Sequence, residues 1–230
     1  MNNKPIGIIG AMQVEIEGLK AAMTDISEEV VSGVTFTRGK LEGCDVVCAV
    51  SGVGKVFAAI AAEAMILRYD VCALLNTGVA GGLLEELEVG DVALADKVVQ
   101  HDMNTTALGD ARGLLSGINI VEIPVDTTLL KALCEATAEL GYDAAVGTIA
   151  SGDLFVEKKS TKDSIVSAFS AIACEMEGAA IGHVAYVNNI PFAVLRVISD
   201  GGDGMEFSKF VVIAAERSVA LTRAFLKQLS

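Results

Sequence analysis

The stretch Ala173-Cys174-Glu175-Met176-Glu177-Gly178-Ala179-Ala180 follows the apolar pair Ala171 and Ile172 and opens into a helical pattern that includes Ile181, Val184 and Ala185. An apolar strand, a turn and a helix in direct succession form the repeating unit of α/β folds. The turn carries two carboxylates two residues apart, a poor choice for packing, because a buried carboxylate costs several kcal/mol unless it is partnered. On this stretch alone, solvated loop charges are the simpler account. A second stretch shifts the balance. Phe192-Ala193-Val194-Leu195-Arg196-Val197-Ile198-Ser199-Asp200-Gly201-Gly202 is an apolar strand pattern whose last residues are polar and glycine-rich.

The same unit recurs on the N-terminal side. Residues 144–150 read as a strand that delivers Ser151-Gly152-Asp153-Leu154-Phe155-Val156, with Phe155 either a core plug or a stacking surface. Before it, Asp126 caps a helix that runs to Leu140, with Gly141 as its stop. Residues 104–117 are polar and form the longest candidate loop. They follow a long strand at 89–100 and His101-Asp102, for which a hydrogen-bonded structural pair is expected.

Residues 71–75 form a buried strand ending in Asn76-Thr77-Gly78-Val79-Ala80-Gly81-Gly82. Ser51-Gly52-Val53-Gly54-Lys55 joins another strand to a helix at 56–69 and has the shape of a phosphate loop. It fails that test, because Ala49 stands where glycine is required and Val56 where Ser or Thr would bind magnesium. Close packing accounts for it slightly better than anion binding. Residues 34–40 and 45–50 flank a Glu42-Gly43 turn as a hairpin. A first strand at 5–10 leads to a helix at 12–23, with Glu15 near its start. The helix dipole alone favours a carboxylate there by roughly 0.3–1 kcal/mol. A terminal helix at 207–226 completes the chain.

Strand–helix alternation with one early hairpin predicts an α/β fold with a largely parallel central sheet, in a single domain spanning residues 1–230. Ligands of such folds bind beyond the carboxyl ends of the strands. Every polar or glycine-rich stretch named above falls at such an end.

Composition narrows the function. The chain is 52% hydrophobic and only 20% charged, enough to bury a large core, and its mean hydropathy is +0.53. Charged residues or glycine interrupt every apolar run, so no membrane span is expected, and the N-terminal residues do not read as a signal peptide. The cytoplasm is the default location. Five cysteines without CxxC spacing suggest neither disulfides nor a zinc site. A net charge of −13 argues against nucleic acid or an anionic membrane as partner, since phosphate backbones need clustered Lys and Arg.

Six motifs in order carry a resemblance: Gly7-Ile8-Ile9-Gly10-Ala11-Met12, Ser51 to Lys55, Asn76 to Gly82, Ser151 to Phe155, Glu175-Met176-Glu177, and Arg196-Val197-Ile198-Ser199-Asp200. Over essentially the whole chain the sequence resembles the bacterial 5′-methylthioadenosine/S-adenosylhomocysteine nucleosidases. The resemblance implies a purine nucleoside phosphorylase-like α/β fold in three layers, with a mixed and largely parallel central sheet flanked by helices. It also implies a homodimer, no cofactor and no metal, and irreversible hydrolysis of an N-glycosidic bond to adenine and a thioribose. By that resemblance Asp200 is the general acid at the purine N7, oriented by Ser199, and Glu15 holds and activates water. Glu177 binds the ribose hydroxyls, helped by the Met176 backbone. Phe155 stacks on adenine and the Val156 backbone reads its amino edge. Met12, Gly81, Glu175 and Phe207 match pocket positions.

These assignments suit the chemistry. An oxocarbenium-like transition state needs an acid at the leaving group, a base on water and negative charge near the developing cation. The sequence departs from the family pattern in three places. Val79 replaces a serine of the sugar-binding turn, Leu108 replaces a phenylalanine offered by a neighbouring subunit, and the segment from Gly201 to Gly204 is shortened, which bears on the lid leading to Phe207. The alternatives are a nucleoside phosphorylase or a futalosine-type hydrolase of the same superfamily, or a non-catalytic nucleoside-binding protein. A phosphorylase usually presents an arginine after the first strand, where this chain offers Glu15.

Overall fold

The computed structural model describes residues 4–201 and 203–230. Its elements run β1 (Ile6–Gly10), α1 (Gln13–Ala22), β2 (Thr24–Val31), β3 (Val34–Leu41), β4 (Cys44–Val50), α2 (Lys55–Tyr69), β5 (Ala73–Gly82) and β6 (Val92–Gln100). Then come β7 (Ile123–Pro124), α3 (Thr127–Glu139), β8 (Ala144–Ser151), α4 (Lys159–Phe169), β9 (Ala171–Glu175), α5 (Gly178–Asn188), β10 (Phe192–Asp200) and α6 (Gly204–Leu229). Strands β1 and β10 are buried along their whole length, so apolar side chains on both faces must be covered by helices. Helices α1, α3 and α6 pack over one face, and α2 and α5 over the other. The result is three layers with an apolar core on either side of the sheet.

The strands join in the order β10-β6-β8-β9-β5-β1-β4-β3-β2, with β7 attached to β6. The neighbours β4–β1–β5 and β6–β8–β9 pair in parallel, as do β5 and β10. Antiparallel pairing is confined to the β2–β3–β4 meander, the short β7 and the β10–β6 and β5–β9 contacts. The mixed α/β sheet expected from sequence is thus present, with one difference: because β10 pairs with β5 as well as β6, the strands β5, β10, β6, β8 and β9 close on themselves. The small residues Gly81 and Gly82 make the closing contact with Cys174 and Ala173. No helix among the described residues is long and apolar enough to cross a membrane.

Several element boundaries differ from the sequence reading. Strand β5 continues through Asn76 to Gly82 instead of ending at Leu75, because its polar side chains find buried partners. Asn76 Nδ2 donates to the Ile9 carbonyl at 3.0 Å, and Thr77 Oγ1 lies 2.7 Å from Ser218 Oγ and 2.8 Å from Thr222 Oγ1. Helix α6 starts at Gly204, ahead of the expected Phe207, since Asp203 accepts the Met205 amide at 2.8 Å. The candidate loop after β6 contains a 3-10 turn at Thr106–Leu108 and a bridge between Leu115 and Ile120. Strand β2 and helix α4 were not expected. Of the Gly201 to Gly204 lid segment, Gly202 lies outside the described residues.

Candidate active site

The carboxyl ends of β1, β5, β9 and β10 meet around a cavity of about 300 Å³. It is lined by Ala11, Met12 and Glu15 after β1, Val53 after β4, and Val79, Ala80 and Gly81 of β5. Phe155, Cys174, Glu175, Met176, Glu177, Arg196, Ser199, Asp200 and Phe207 complete the wall. Of the residues expected from sequence, only Val156 is absent from this lining. It borders a contiguous annex of about 40 Å³ with Gly81, Phe155, Cys174 and Asp200.

Glu15 sits in the first turn of α1, where its side chain folds back onto the start of its own helix. Its Oε2 accepts the Ala11 amide at 2.7 Å and the Met12 amide at 2.8 Å, and its Oε1 accepts the Val79 amide at 3.0 Å. The Ala11 and Met12 amides stand at the head of α1, where a helix N-terminus favours anions, and here a resident carboxylate takes them together with the Val79 amide of β5. Gly78 makes room for it: a Cβ there would collide with the Glu15 carboxylate and come within 2.7 Å of Arg196 Nη1.

Arg196 explains how the glutamates are tolerated. Its Nη2 donates to Glu175 Oε2 and Asn76 Oδ1 and lies 3.5 Å from Glu177 Oε2, while Nη1 donates to the Val79 carbonyl at 3.2 Å. Burial works against the guanidinium charge, but Glu175, Glu177 and Glu15 outweigh it and raise its pKa. The sequence reading quoted Arg196 within a motif without giving it a role. The signal was there: a cation inside an otherwise apolar strand must have buried acidic partners.

Glu175 lines the cavity, but its carboxylate is taken up by the protein. Oε2 also accepts the Glu177 amide at 2.9 Å and the Gly178 amide at 2.7 Å, and Oε1 accepts from Ser151 Oγ. It thereby fixes the turn that presents Glu177. Glu177 in turn accepts the Gly54 amide at 2.9 Å on Oε1. The glycine-rich turn at the start of α2 therefore serves both packing and the site. Ser199 Oγ donates to Asp200 Oδ2 at 2.8 Å. Phe155 and Phe207 meet edge to face, 5.8 Å between centroids, and Phe155 remains 45% exposed.

Arg196 thus faces Glu15, Glu175 and Glu177, and these side chains and that of Asp200 are nearly fully buried. Burial pushes the Glu15 carboxyl up, and Arg196 and the three backbone amides offset this only in part. Burial and the neighbouring Glu175 push Glu177 up to about 7, against Arg196 and the Gly54 amide. Three buried carboxyl groups around one guanidinium are suited to a cation developing at their centre, where Glu15 and Glu177 can ionise against it. Among the described residues no cluster of three or more His, Cys, Asp or Glu side chains is arranged to hold a metal.

A family model described as "Phosphorylase superfamily" matches residues 5–227. The chain belongs to that superfamily. A 5′-methylthioadenosine/S-adenosylhomocysteine nucleosidase of Shewanella sediminis is 39% identical over 229 residues, covering 97% of this chain and 99% of the relative. The crystal structure of S-adenosylhomocysteine nucleosidase from Streptococcus pyogenes, in complex with 5-methylthiotubericidin, is similar with a TM-score of 0.96 and 34% identity, covering 100% of this chain and 99% of that one. The native structure of futalosine hydrolase of Helicobacter pylori is similar with a TM-score of 0.93 and 33% identity, covering 97% of both chains. The nucleosidase resemblance read from the six motifs is borne out.

His101 and Asp102 do not pair as expected. Asp102 turns to Lys55, and among the described residues the buried His101 Nε2 finds no hydrogen-bond partner.

Proposed function

We propose that the chain hydrolyses the N-glycosidic bond of 5′-methylthioadenosine and S-adenosylhomocysteine, releasing adenine and the thioribose product. The observation that carries this reading is the placement of Glu15, Glu177 and Asp200 around one cavity, with Glu15 holding the amides at the head of α1. Phosphate needs those donors and is repelled by that carboxylate, whereas water is activated by it. Hydrolysis is therefore favoured over phosphorolysis.

In this mechanism Asp200, aligned by Ser199, protonates N7 and turns adenine into a neutral leaving group. Glu15 takes a proton from water as that water attacks C1′. Glu177, helped by the Met176 backbone, binds the ribose hydroxyls, and its charge and that of Glu15 stabilise the oxocarbenium-like sugar. Phe155 stacks on the base, the Val156 backbone reads its amino edge, and Met12, Gly81 and Phe207 close the pocket. Glu175 acts through the turn it holds. A futalosine-type hydrolase is the second reading, favoured by the similarity to the Helicobacter pylori enzyme.

The chain acts as a single domain, in the cytoplasm, and as a homodimer. The dimer is supported by an uncovered apolar face on α2, where Val56, Phe57 and Leu67 are 69%, 54% and 73% exposed, continued on α5 by Val187 at 53%. The decisive experiment is incubation with methylthioadenosine, with and without phosphate, following free adenine. Release independent of phosphate supports hydrolysis, and strict phosphate dependence would make the protein a phosphorylase. Equal turnover of futalosine would move the assignment to the second reading.

A further inference from the structure

Lys55, the residue that gave the β4–α2 turn its phosphate-loop look, spends its ammonium inside the protein. Its Nζ donates to Asp102 Oδ1 at 2.7 Å and to Gln100 Oε1 at 3.1 Å. Asp102 Oδ2 accepts the Asp153 amide at 2.9 Å, and Asp153 Oδ1 accepts the Lys55 amide at 2.8 Å. The circuit closes on itself. It joins the N-terminus of α2 to the turn after β6 and the turn after β8.

Helix α2 has no acidic residue in its first turn and Gly54 offers no side chain, so Asp153 supplies from another turn the acceptor that a capping residue normally gives. The Lys55 and Asp102 side chains are 18% and 29% exposed, so solvent screens the pair only in part. Burial raises the Asp102 carboxyl, but Lys55 and the Asp153 amide outweigh it and hold it below its ordinary value, ionised.

Both ends of the circuit lead to the cavity. The amide next to that of Lys55, Gly54 N–H, is the one that holds Glu177. Gly54 has φ +104°, and a Cβ there would stand 3.0 Å from Asp153 Oδ1, so the turn fits against Asp153 only as glycine. Two residues beyond Asp153, Phe155 meets the cavity. We propose that Lys55, Asp102 and Asp153 are positioning residues, a closed ring that sets the Gly54 amide on Glu177 and the 151–156 turn beneath the substrate base.

This inference rests on the proposed hydrolysis and deepens it. The groups facing Glu177 are Glu15 from α1, Glu175 from β9, Arg196 from β10 and the Gly54 amide. Of these the ring controls only the amide, so its loss weakens one stabiliser of the ionised form. The test compares Lys55→Met, Asp102→Asn and the conservative Lys55→Arg with the wild type, reading KM and kcat separately, the acid limb of kcat/KM, and hydrogen–deuterium exchange at residues 51–56 and 151–156.

In Lys55→Met and Asp102→Asn, KM should rise about tenfold or more through misplacement of the base and sugar contacts. The acid limb should move to higher pH, exchange at Gly54 and Asp153 should accelerate, and Lys55→Arg should restore all three. Folded variants with wild-type KM, acid limb and exchange overturn the proposal. Loss of folding in both Lys55→Met and Asp102→Asn would assign the ring to stability alone and overturn it too. A wild type that releases no adenine counts against the hydrolysis, while the exchange pattern still decides the ring.

Discussion

The Ala11 and Met12 amides already point at Glu15, so changing that residue does two things: it removes the base and disturbs two buried donors. Glu15→Gln keeps the shape and one acceptor oxygen. Its kcat should fall about 10²–10⁴-fold, the range for a lost general base, with a smaller change in KM; single-turnover adenine release measures it. Glu177 makes a different prediction. Its carboxyl is raised from 4.5 to about 7 in the folded protein, so between those values the folded state binds more protons than the unfolded chain. Stability therefore falls as pH rises through that window. Glu15, also raised, adds to the same trend. Melting temperatures followed from about pH 4.5 to about pH 7 should decline in the wild type and decline less in Glu177→Gln, whose amide has no proton to lose. At this scale the sequence was informative where a charge sat in an apolar run. It revealed Glu175, Glu177 and Asp200, but the partnership of Arg196 with two glutamates becomes visible only when β9 and β10 both pair with β5, which lies far earlier in the chain.

Elements that the sequence disclosed are those with a buried face of regular period. Helix α3 is one, capped by Asp126 through the Thr128 and Leu129 amides at 2.9 Å each. Those it hid lack such a face. Strand β2 is exposed over nearly its whole length and is held by main-chain bonds to β3, so no alternation marks it. Helix α4 buries only Ile165 and Phe169, too few for a periodic stripe. The second half of β5 was hidden by its own polarity, and its buried hydroxyls give a prediction. Thr77 is the hub that ties β5 to Ser218 and Thr222 of α6. Thr77→Val keeps the volume and strips the hub, leaving two buried hydroxyls short of a partner, at a cost of about 1–3 kcal/mol. Urea unfolding with an unchanged m-value would register it.

For the molecule as a whole, α2 and α5 leave large apolar side chains open to water, among them Val56, Phe57, Leu67 and Val187. Phe57→Glu should leave a single chain of 23.8 kDa in sedimentation, where the wild type should run at twice that mass, because a charge cannot be buried in the middle of an apolar contact without a partner. The overall architecture was legible because strand–helix alternation constrains the connections tightly. The partial closure of the sheet was not, since it depends on β10 pairing with both β5 and β6, which lie far earlier in the chain.

The imbalance around Arg196 has a calorimetric consequence. Glu177, raised to about 7 by burial and by Glu175, carries its proton part of the time near neutrality and must surrender it when a positively charged sugar mimic enters, with less need to do so for an uncharged nucleoside. Heats of binding for the charged mimic should therefore vary with the ionisation enthalpy of the buffer, and its affinity should climb towards alkaline solution. The site would in effect exchange one positive charge for another, a proton leaving the Glu177 carboxyl as the cationic sugar mimic takes its place.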